Sequence, residues 1–389
     1  MMRPLDGIRV IEIGRSEAAG VAGLLLSDFG AEVILIDPPG ECGDLSAACH
    51  EDSITFGVDM PAERLCDRGK KRVFLDIFNE TQKALFLKLI KTADVLLIGT
   101  APRLLKEAGL DAETLSKLNP ELASVCVSGY GLTGPYAEHP WSEACVQAES
   151  GFVSTTGPEN GDPVRSGGDM ANFLGGMITC AAALMELAEK ERCRAAGNTI
   201  TGRHADVSMM DSIVFGLENQ FSLYLKSGKV PVPKGNHYAL SAPVGNFPCR
   251  DAEIMISVAT EAQWKAFSEA LGHPEWVDRP EFFNVSRRLE NYKLLGETVT
   301  EAFMQYDRKE LMEILQSRSC IYGCINDFPG VTEHVQTQAR HMFMEIISGD
   351  GSRYTAPANP ILIDGGHMQS EKISLPGAHT KEILEALPL

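Results

Sequence analysis

A single aspartate in front of a long apolar segment is the side chain best placed to do chemistry. Asp169 follows Gly167 and Gly168 and precedes apolar residues at helical spacing over residues 169–190. Aspartate before a helix usually accepts a hydrogen bond from a first-turn N–H, so we expect Asp169 to cap this helix. The two glycines leave space above the carboxylate, and backbone N–H groups there could stabilise an oxyanion. Asp169 is therefore also a candidate nucleophile.

Other segments suggest phosphate or nucleotide binding. The densest basic run, residues 68–72, fits a solvated turn before a strand, and a phosphate site is the alternative. Asp37 ends a predicted strand where a ribose-binding carboxylate would lie, but the turn at residues 14–20 has the wrong glycine spacing for a dinucleotide. Residues 129–134 match G-x-G-x-x-G formally, yet a loop follows them and no helix. Nicotinamide binding is not expected.

The elements that must position these residues alternate between strands and helices. This alternation predicts an α/β fold with a doubly wound parallel sheet. Strands are predicted at residues 9–13, 31–36, 73–75, 95–98, 123–127 and 205–208, and helices at 18–29, 82–92, 169–190 and 209–225.

Composition changes near Ser227, where a stretch rich in proline and glycine begins. We therefore predict a large first domain over residues 1–227 and a smaller one over 228–330. The last segment, about 331–389, is expected to complete the first domain, since the apolar residues 360–363 could return to it.

Charge and composition exclude several classes of partner. The net charge of -18 disfavours nucleic acid and anionic membranes. We find no apolar run near the roughly 20 residues that span a bilayer, and no signal peptide at the start. The cysteines lack zinc-site spacing, so no metal is expected. We expect a cytoplasmic protein that binds neither nucleic acid nor membrane.

Several motifs, taken in order, resemble the family III CoA-transferases of CaiB/BaiF type. This group includes formyl-CoA transferase, carnitine CoA-transferase and α-methylacyl-CoA racemase. Each motif is weak alone, but together they cover nearly the whole chain. The resembling segments are residues 4–12, 30–37, 71–76, 128–136, 147–151, 206–212 and 377–380.

The resemblance implies a CoA-transferase that moves CoA from an acyl-CoA donor to a carboxylic acid acceptor. Asp169 would form an aspartyl mixed anhydride and then an enzyme-CoA thioester. Gly167 and Gly168 would offer backbone donors, and Glu143 would support the nucleophile. CoA and acyl-CoA would be substrates, with no permanently bound cofactor. The implied CoA-binding positions are Arg15, Ser16, Ala18, Leu75, Phe78, Gly99, Arg103 and His139.

The resemblance also implies an architecture. It predicts a large Rossmann-like domain with a parallel sheet built from both chain ends, and a smaller α+β middle domain. It further predicts a homodimer of interlocked, ring-shaped subunits, with a paralogous subunit as the alternative partner.

Two alternative functions stay open at this point. One is an acyl-CoA racemase or epimerase, which is disfavoured because Ser142 stands where that branch has a histidine. The other is an assisting subunit of a hetero-oligomeric CoA-transferase. It is motivated by altered CoA contacts, since Phe78 replaces a usual lysine and residues 99–103 replace N-F-R-P-G. Formyl-CoA is disfavoured as donor because residues 238–241 contain no glycine.

Overall fold

The computed structural model describes residues 3–38, 64–238 and 240–387. Residue 239, which is part of the stretch 238–241 used above to disfavour formyl-CoA as donor, lies outside the described residues. The chain divides into two compact units. The first consists of Met1–Val153, Arg165–Lys229 and Gln336–Leu389, and the second of Ser154–Val164 and Val230–Val335. The sequence did not predict that the short segment Ser154–Val164 belongs with the second unit.

Six strands form a parallel sheet in the first unit, in the order β3-β2-β1-β4-β5-β6. This is the strand order of a doubly wound nucleotide-binding sheet. Every neighbouring pair is parallel, so the predicted α/β fold with a parallel sheet is confirmed. The strands are β1 (Arg9–Gly14), β2 (Glu32–Asp37), β3 (Lys71–Phe74), β4 (Val95–Gly99), β5 (Ala123–Ser128) and β6 (His204–Ser208).

The C-terminal segment adds no strand to the parallel sheet within the described residues, so the prediction that both chain ends build the sheet is wrong. Its residues instead bond the outer strand β3 through side chains. The N–H of Arg72 donates to His379 Nδ1 at 3.1 Å, and that of Phe74 donates to Thr380 Oγ1 at 2.9 Å. These bonds use the β3 backbone N–H groups that a further strand would need for pairing, so they block the β3 edge of the sheet.

Antiparallel pairing accounts for the remaining strands. One hairpin belongs to the first unit, and a three-stranded sheet of order β7-β8-β9 belongs to the second. The strands are β7 (Val244–Pro248), β8 (Glu253–Ser257), β9 (Tyr322–Cys324), β10 (Phe343–Ile347) and β11 (Arg353–Pro357).

Helices cover both faces of the parallel sheet. Strand residues alternate in direction, so Ile11 and Ile13 pack on the α2–α4 side, while Val10 packs on the side of α1 and α6. The α-helices of the described chain are α1 (Glu17–Asp28), α2 (Glu80–Ile90), α3 (Pro102–Glu107), α4 (Ala112–Leu118), α5 (Glu143–Glu149), α6 (Met170–Ala195), α7 (Met209–Gly216), α8 (Glu218–Ser227), α9 (Glu261–Ala270), α10 (Val285–Glu290), α11 (Tyr292–Phe303), α12 (Arg308–Ser317), α13 (Phe328–Thr332), α14 (Val335–Ala339) and α15 (Thr380–Glu385). Short 3₁₀ helices occur at Leu65–Asp67, Val153–Thr155 and Pro274–Asp278.

Helix α6 has 26 residues and is apolar enough to cross a membrane by length and composition, which corrects the expectation that the chain has no such segment. It nevertheless packs as a core helix against α1. A Cβ at Gly176 would lie 2.7 Å from the carbonyl oxygen of Ala18, so only glycine permits this approach. Near its end, Lys190 is buried and pairs with Asp94 at 3.2 Å.

The second unit has its own aromatic core under the three-stranded sheet. Trp264 stacks on Trp276 with ring centroids 5.9 Å apart. The buried Arg288 guanidinium lies 5.1 Å from the Trp264 ring and donates to the carbonyl oxygens of Ala242 and Phe282 at 2.7 and 2.9 Å. The unit therefore holds a buried cation through backbone acceptors, an aromatic face and an ion pair of Arg288 with Glu261 at 2.9 Å.

The basic run at residues 68–72 is mostly buried, so it is neither a solvated turn nor a phosphate site. Three of its side chains are each 1% exposed and each is paired with a carboxylate. The pairs are Arg68 with Asp28 at 2.8 Å, Lys70 with Glu12 at 2.6 Å, and Arg72 with Asp37 at 2.6 Å.

The pair of Lys70 and Glu12 lies beneath α1 with no exposed surface. Glycines in α1 make room for it. A Cβ at Gly23 would lie 2.0 Å from Glu12 Oε2, and the Gly20 carbonyl accepts a second bond from Lys70 Nζ at 2.9 Å. Burial raises the pKa of Glu12, and the Lys70 ammonium opposes that rise.

Replacing Lys70 by methionine is expected to lower the free energy of unfolding by about 3–5 kcal/mol near neutral pH, because Glu12 would be buried without a partner. A raised folded-state pKa means that the folded protein binds more protons than the unfolded chain. The loss should therefore be smallest at about pH 4–5 and grow as pH rises. Urea denaturation between about pH 4 and neutral pH measures this loss of unfolding free energy. The exposed Lys117→Met is the control. A loss that stays equal at all pH values contradicts the argument.

Candidate functional site

Asp169 occupies the N-cap position of α6, but its side chain accepts no hydrogen bond from the helix. The prediction that its carboxylate caps the helix is therefore wrong. The residue is exposed, so its carboxylate is open to a ligand.

Glu143 explains this free carboxylate, because it takes the N–H donors of the first turn of α6. Its Oε1 accepts from Ala171 N at 2.9 Å, and its Oε2 accepts from Asn172 N at 3.0 Å. Glu143 is only 7% exposed and starts α5, which is capped by Ser142. A buried carboxylate at a helix N-terminus is favoured by the helix dipole. Glu143 thus caps α6 from another helix.

Gln147 connects this cap to the loop in front of Asp169. It lies one turn after Glu143 and is fully buried. Its Nε2 donates to Glu143 Oε1 at 2.8 Å and to the Gly168 carbonyl at 3.2 Å, while its Oε1 accepts from Ser166 N at 3.1 Å. We gave Gln147 no role from sequence, although the i, i+4 spacing to Glu143 was a usable signal.

The glycines before Asp169 leave open space. A Cβ at Gly167 would meet no atom within 4 Å, and one at Gly168 would meet only Met170 Sδ at 4.0 Å. Gly168 N donates to Ser166 Oγ at 3.3 Å. Gly167 N makes no hydrogen bond within the described chain. The loop therefore presents a carboxylate, a free N–H and an unobstructed approach.

The positions predicted to bind CoA all follow carboxyl ends of strands in the parallel sheet. Ligands of doubly wound sheets bind at this edge. Arg15, Ser16 and Ala18 follow β1, Leu75 and Phe78 follow β3, Gly99 and Arg103 end or follow β4, and His139 follows β5.

Four of these positions, Ser16, Ala18, Leu75 and Gly99, have buried side chains or no side chain. Ser16, Ala18 and Gly99 lie where α1 packs closely against β4, whereas Leu75 packs in the core on the opposite face of the sheet. Ser16 N donates to the Gly99 carbonyl at 3.2 Å, and a Cβ at Gly99 would lie 2.5 Å from Ala19 Cβ. Their observed contacts are packing contacts, and their part in CoA binding stays a prediction.

Arg15 reaches the surface only partly and is held by two carboxylates. Its Nη1 lies 3.0 Å from Asp37 Oδ1, and its Nη2 lies 3.6 Å from Asp67 Oδ2. Arg64, with Arg15 and Arg72, holds the pKa of the buried Asp67 down to about 2, although burial opposes this. Asp37 is thus committed to ion pairs and is not free to bind a ribose.

The other three predicted positions are exposed. Arg103 forms a surface ion pair with Glu107 at 3.3 Å, which a phosphate could replace at little cost. Phe78 is exposed after β3, and His139 stacks on Tyr136 with ring centroids 4.9 Å apart. These three described positions therefore offer a cation in a weak surface pair and two flat side chains.

The sheet and the uncapped aspartate define an α/β protein with an exposed carboxylate at a helix N-terminus. A sequence profile described as CoA-transferase family III matches residues 5–380. The chain belongs to CoA-transferase family III, which confirms the resemblance seen in its motifs.

Individual relatives agree with this assignment. Acetyl-CoA:oxalate CoA-transferase of Acetobacter aceti is 30% identical over 93% of this chain and 90% of its own. Succinate–glutarate CoA-transferase of Agrobacterium fabrum is 28% identical over 99% and 96%. The crystal structure of a CaiB/BaiF family protein from Brucella suis matches with a TM-score of 0.81 and 28% identity, over 100% of both chains.

Replacing Glu143 by alanine should destabilise the first turn of α6, because two buried N–H groups lose their acceptor. We expect a loss of about 1–3 kcal/mol in unfolding free energy. Amide hydrogen exchange at Ala171 and Asn172 should accelerate. The control, Asp111→Ala, removes the N-cap of α4 and should leave both amides protected. Unchanged exchange at Ala171 and Asn172 in the Glu143 variant would show that another group caps α6.

Proposed function

We propose that Asp169 carries the acyl group while CoA moves from an acyl-CoA donor to a carboxylic acid acceptor. The observation that carries this proposal is the exposed carboxylate at the N-cap of α6, which makes no capping bond because Glu143 holds the helix donors. A carboxylate that is neither paired nor used as a cap is available as a nucleophile.

The transfer divides into four balanced steps. The Asp169 carboxylate attacks the donor thioester, and the C–S bond breaks to give a mixed anhydride and CoA thiolate. The thiolate then attacks the aspartyl carbonyl carbon and releases the donor acid, leaving an aspartyl-CoA thioester. An acceptor carboxylate attacks that thioester and forms a second anhydride with release of thiolate. The thiolate finally attacks the acceptor carbonyl, which yields the new acyl-CoA and free Asp169.

Each attack places negative charge on a carbonyl oxygen next to Asp169. The N–H of Gly167 has no partner within the described chain and can donate to that oxygen. The absence of a side chain at Gly167 and Gly168 lets a thioester approach from the open side. CoA itself is proposed to lie along the carboxyl edge of the sheet, with Arg15 and Arg103 near its phosphates.

We further propose that the acids exchanged are short dicarboxylic acids. The relatives reported above are named for oxalate, succinate and glutarate. In this chain, Met170 and Phe173 are exposed beside Asp169 on the outer side of α6. Apolar side chains there suit an acid with a short methylene chain better than formate.

The anhydride must be kept from water, and a second subunit is proposed to do this. Met185 on α6, Phe215 on α7 and Leu225 on α8 are 69%, 78% and 77% exposed, a large apolar area for one acidic chain. We propose that a second copy covers this surface in a homodimer of interlocked rings. In that arrangement, the large domain from both chain ends and the middle domain of residues 228–330 would enclose the partner.

The variant Asp169→Asn should lose CoA exchange by at least about 10⁴-fold while keeping its fold, because the amide oxygen is a poor nucleophile. Exchange is measured with succinyl-CoA and a panel of dicarboxylic acids. Mass spectrometry of the intact enzyme should show a CoA adduct on Asp169 in the parent protein only. The control Asp327→Asn alters a helix cap in the second unit and should keep full activity. Activity retained in Asp169→Asn refutes the assignment.

Sedimentation velocity should give twice the chain mass for the purified protein. Phe215→Asp should shift the sedimenting species towards the monomer, since the aspartate charge would be buried without a partner in the proposed interface. Lys117→Asp, on an exposed polar position of α4, should stay dimeric. A parent protein that is monomeric and inactive alone, but active with a paralogous chain, would favour the assisting-subunit alternative.

A further inference from the structure

We propose that Gln147 is a positioning residue for the transfer. It holds Glu143 and the loop at residues 166–168 in the arrangement that leaves Asp169 uncapped. This inference rests on the proposed function of Asp169. It adds a residue that neither contacts the reacting atoms nor carries charge.

The amide of Gln147 has one orientation that fits its surroundings. Glu143 Oε1 and the Gly168 carbonyl oxygen are both acceptors, at 2.8 and 3.2 Å, so the NH₂ group must face them. Ser166 N is a donor at 3.1 Å, so the amide oxygen must face it. With Gln147 fully buried, no water replaces these partners.

This arrangement links two parts of the site, which a further bond from Met170 N to the Gly168 carbonyl at 2.9 Å also joins. One part is the Glu143 carboxylate, which holds the first turn of α6 through Ala171 and Asn172. The other is the loop, bonded to Gln147 at Ser166 and Gly168. Two of the three loop residues are glycines, so Ser166 is the one that brings a side chain to the loop. Gln147 bonds both ends of the loop, at Ser166 N and the Gly168 carbonyl, and together with the Met170 bond it fixes the loop relative to the helix.

Loss of this link should act on the reaction more than on binding. CoA is proposed to bind along the strand ends, which Gln147 does not contact. A loop shifted by about 1 Å would move the Gly167 N–H and Asp169 away from the thioester carbonyl. For Gln147→Ala we expect kcat to fall about 100-fold and KM to change less than about threefold.

A carboxylate at this position tests the requirement for a neutral donor. In Gln147→Glu, a carboxylate oxygen replaces the Gln147 Nε2 that donates to Glu143 in the parent protein. Two adjacent buried carboxylates then hold one proton between them at moderate pH. A shared proton restores one of the lost donors. The activity of Gln147→Glu relative to the parent protein should therefore rise as pH falls. A glutamine with only a structural role would not produce this pH dependence.

The experiment compares the parent protein, Gln147→Ala, Gln147→Glu and Gln263→Ala as full-length chains. Gln263 is a matched control in the second unit, because its side chain accepts bonds from the N–H groups of Ala259 and Thr260 at 2.8 and 3.0 Å. Steady-state kinetics with succinyl-CoA and a dicarboxylic acid is recorded from about pH 5.5 to 8.5. Thermal unfolding and the Asp169 adduct are measured on the same samples.

The outcomes separate this inference from the proposed function. If the parent protein forms no adduct on Asp169, the proposed function fails. If it forms the adduct and Gln147→Ala keeps the parent kcat, only the role of Gln147 fails. Should Gln147→Ala not fold, a Gln147→Glu activity ratio that is constant with pH overturns the inference. Support requires the kcat loss in Gln147→Ala or, where that variant does not fold, the acid recovery in Gln147→Glu, with Gln263→Ala unchanged in either case.

Discussion

The hydrogen bonds from the first turn of α6 to Glu143 are the interaction on which the rest of the site depends. A helix N-terminus leaves N–H groups that must be satisfied, and the nearest acceptor along the chain is Asp169. If Asp169 took those donors, its oxygens would be turned into the helix. Because Glu143 supplies the acceptor from α5, the helix is capped and the aspartate stays outside. The fold thereby separates the stabilising carboxylate from the one that is proposed to react.

The strand ends that are proposed to hold CoA depend on a second constraint, the ion pairs buried around α1. Lys70, Arg68 and Arg72 come from one segment and bond carboxylates on β1, α1 and β2. Isolated buried charges would be very unfavourable, so each pair defines where its elements can lie. The absence of a side chain at Gly23 in α1 makes room for the innermost pair, and the Gly20 carbonyl accepts a second bond from Lys70. The described cations at this edge, Arg15 and Arg103, are both paired with carboxylates.

Local patterns in the sequence predicted the fold better than the site. Apolar runs and a helical period located β1 to β6 and α6 because burial on both sides of a parallel sheet is visible in single segments. The cap of α6 was mispredicted because the local rule favours Asp169, whereas Glu143 lies 26 positions earlier. The basic run was mispredicted for the same reason, since its acidic partners are distant in sequence. Long-range polar pairs leave no periodic signal in the sequence. Asp169 became a candidate nucleophile because two glycines precede it and because the motifs resemble those of the family.

The substrate explains why a buried glutamate should occupy the end of α6. The N-terminus of a long helix binds anions well, and free carboxylic acids are among the reactants of this family. An open N-terminus beside the nucleophile would hold such an acid in an unreactive position and compete with the productive one. Glu143 fills those donors permanently, and Gln147 keeps it in place through a neutral amide. Within the described residues the backbone N–H of Gly167 makes no hydrogen bond, and it is proposed to donate to the oxygen on which negative charge develops during transfer. In the proposed mechanism, this arrangement favours the transition state over the bound acid.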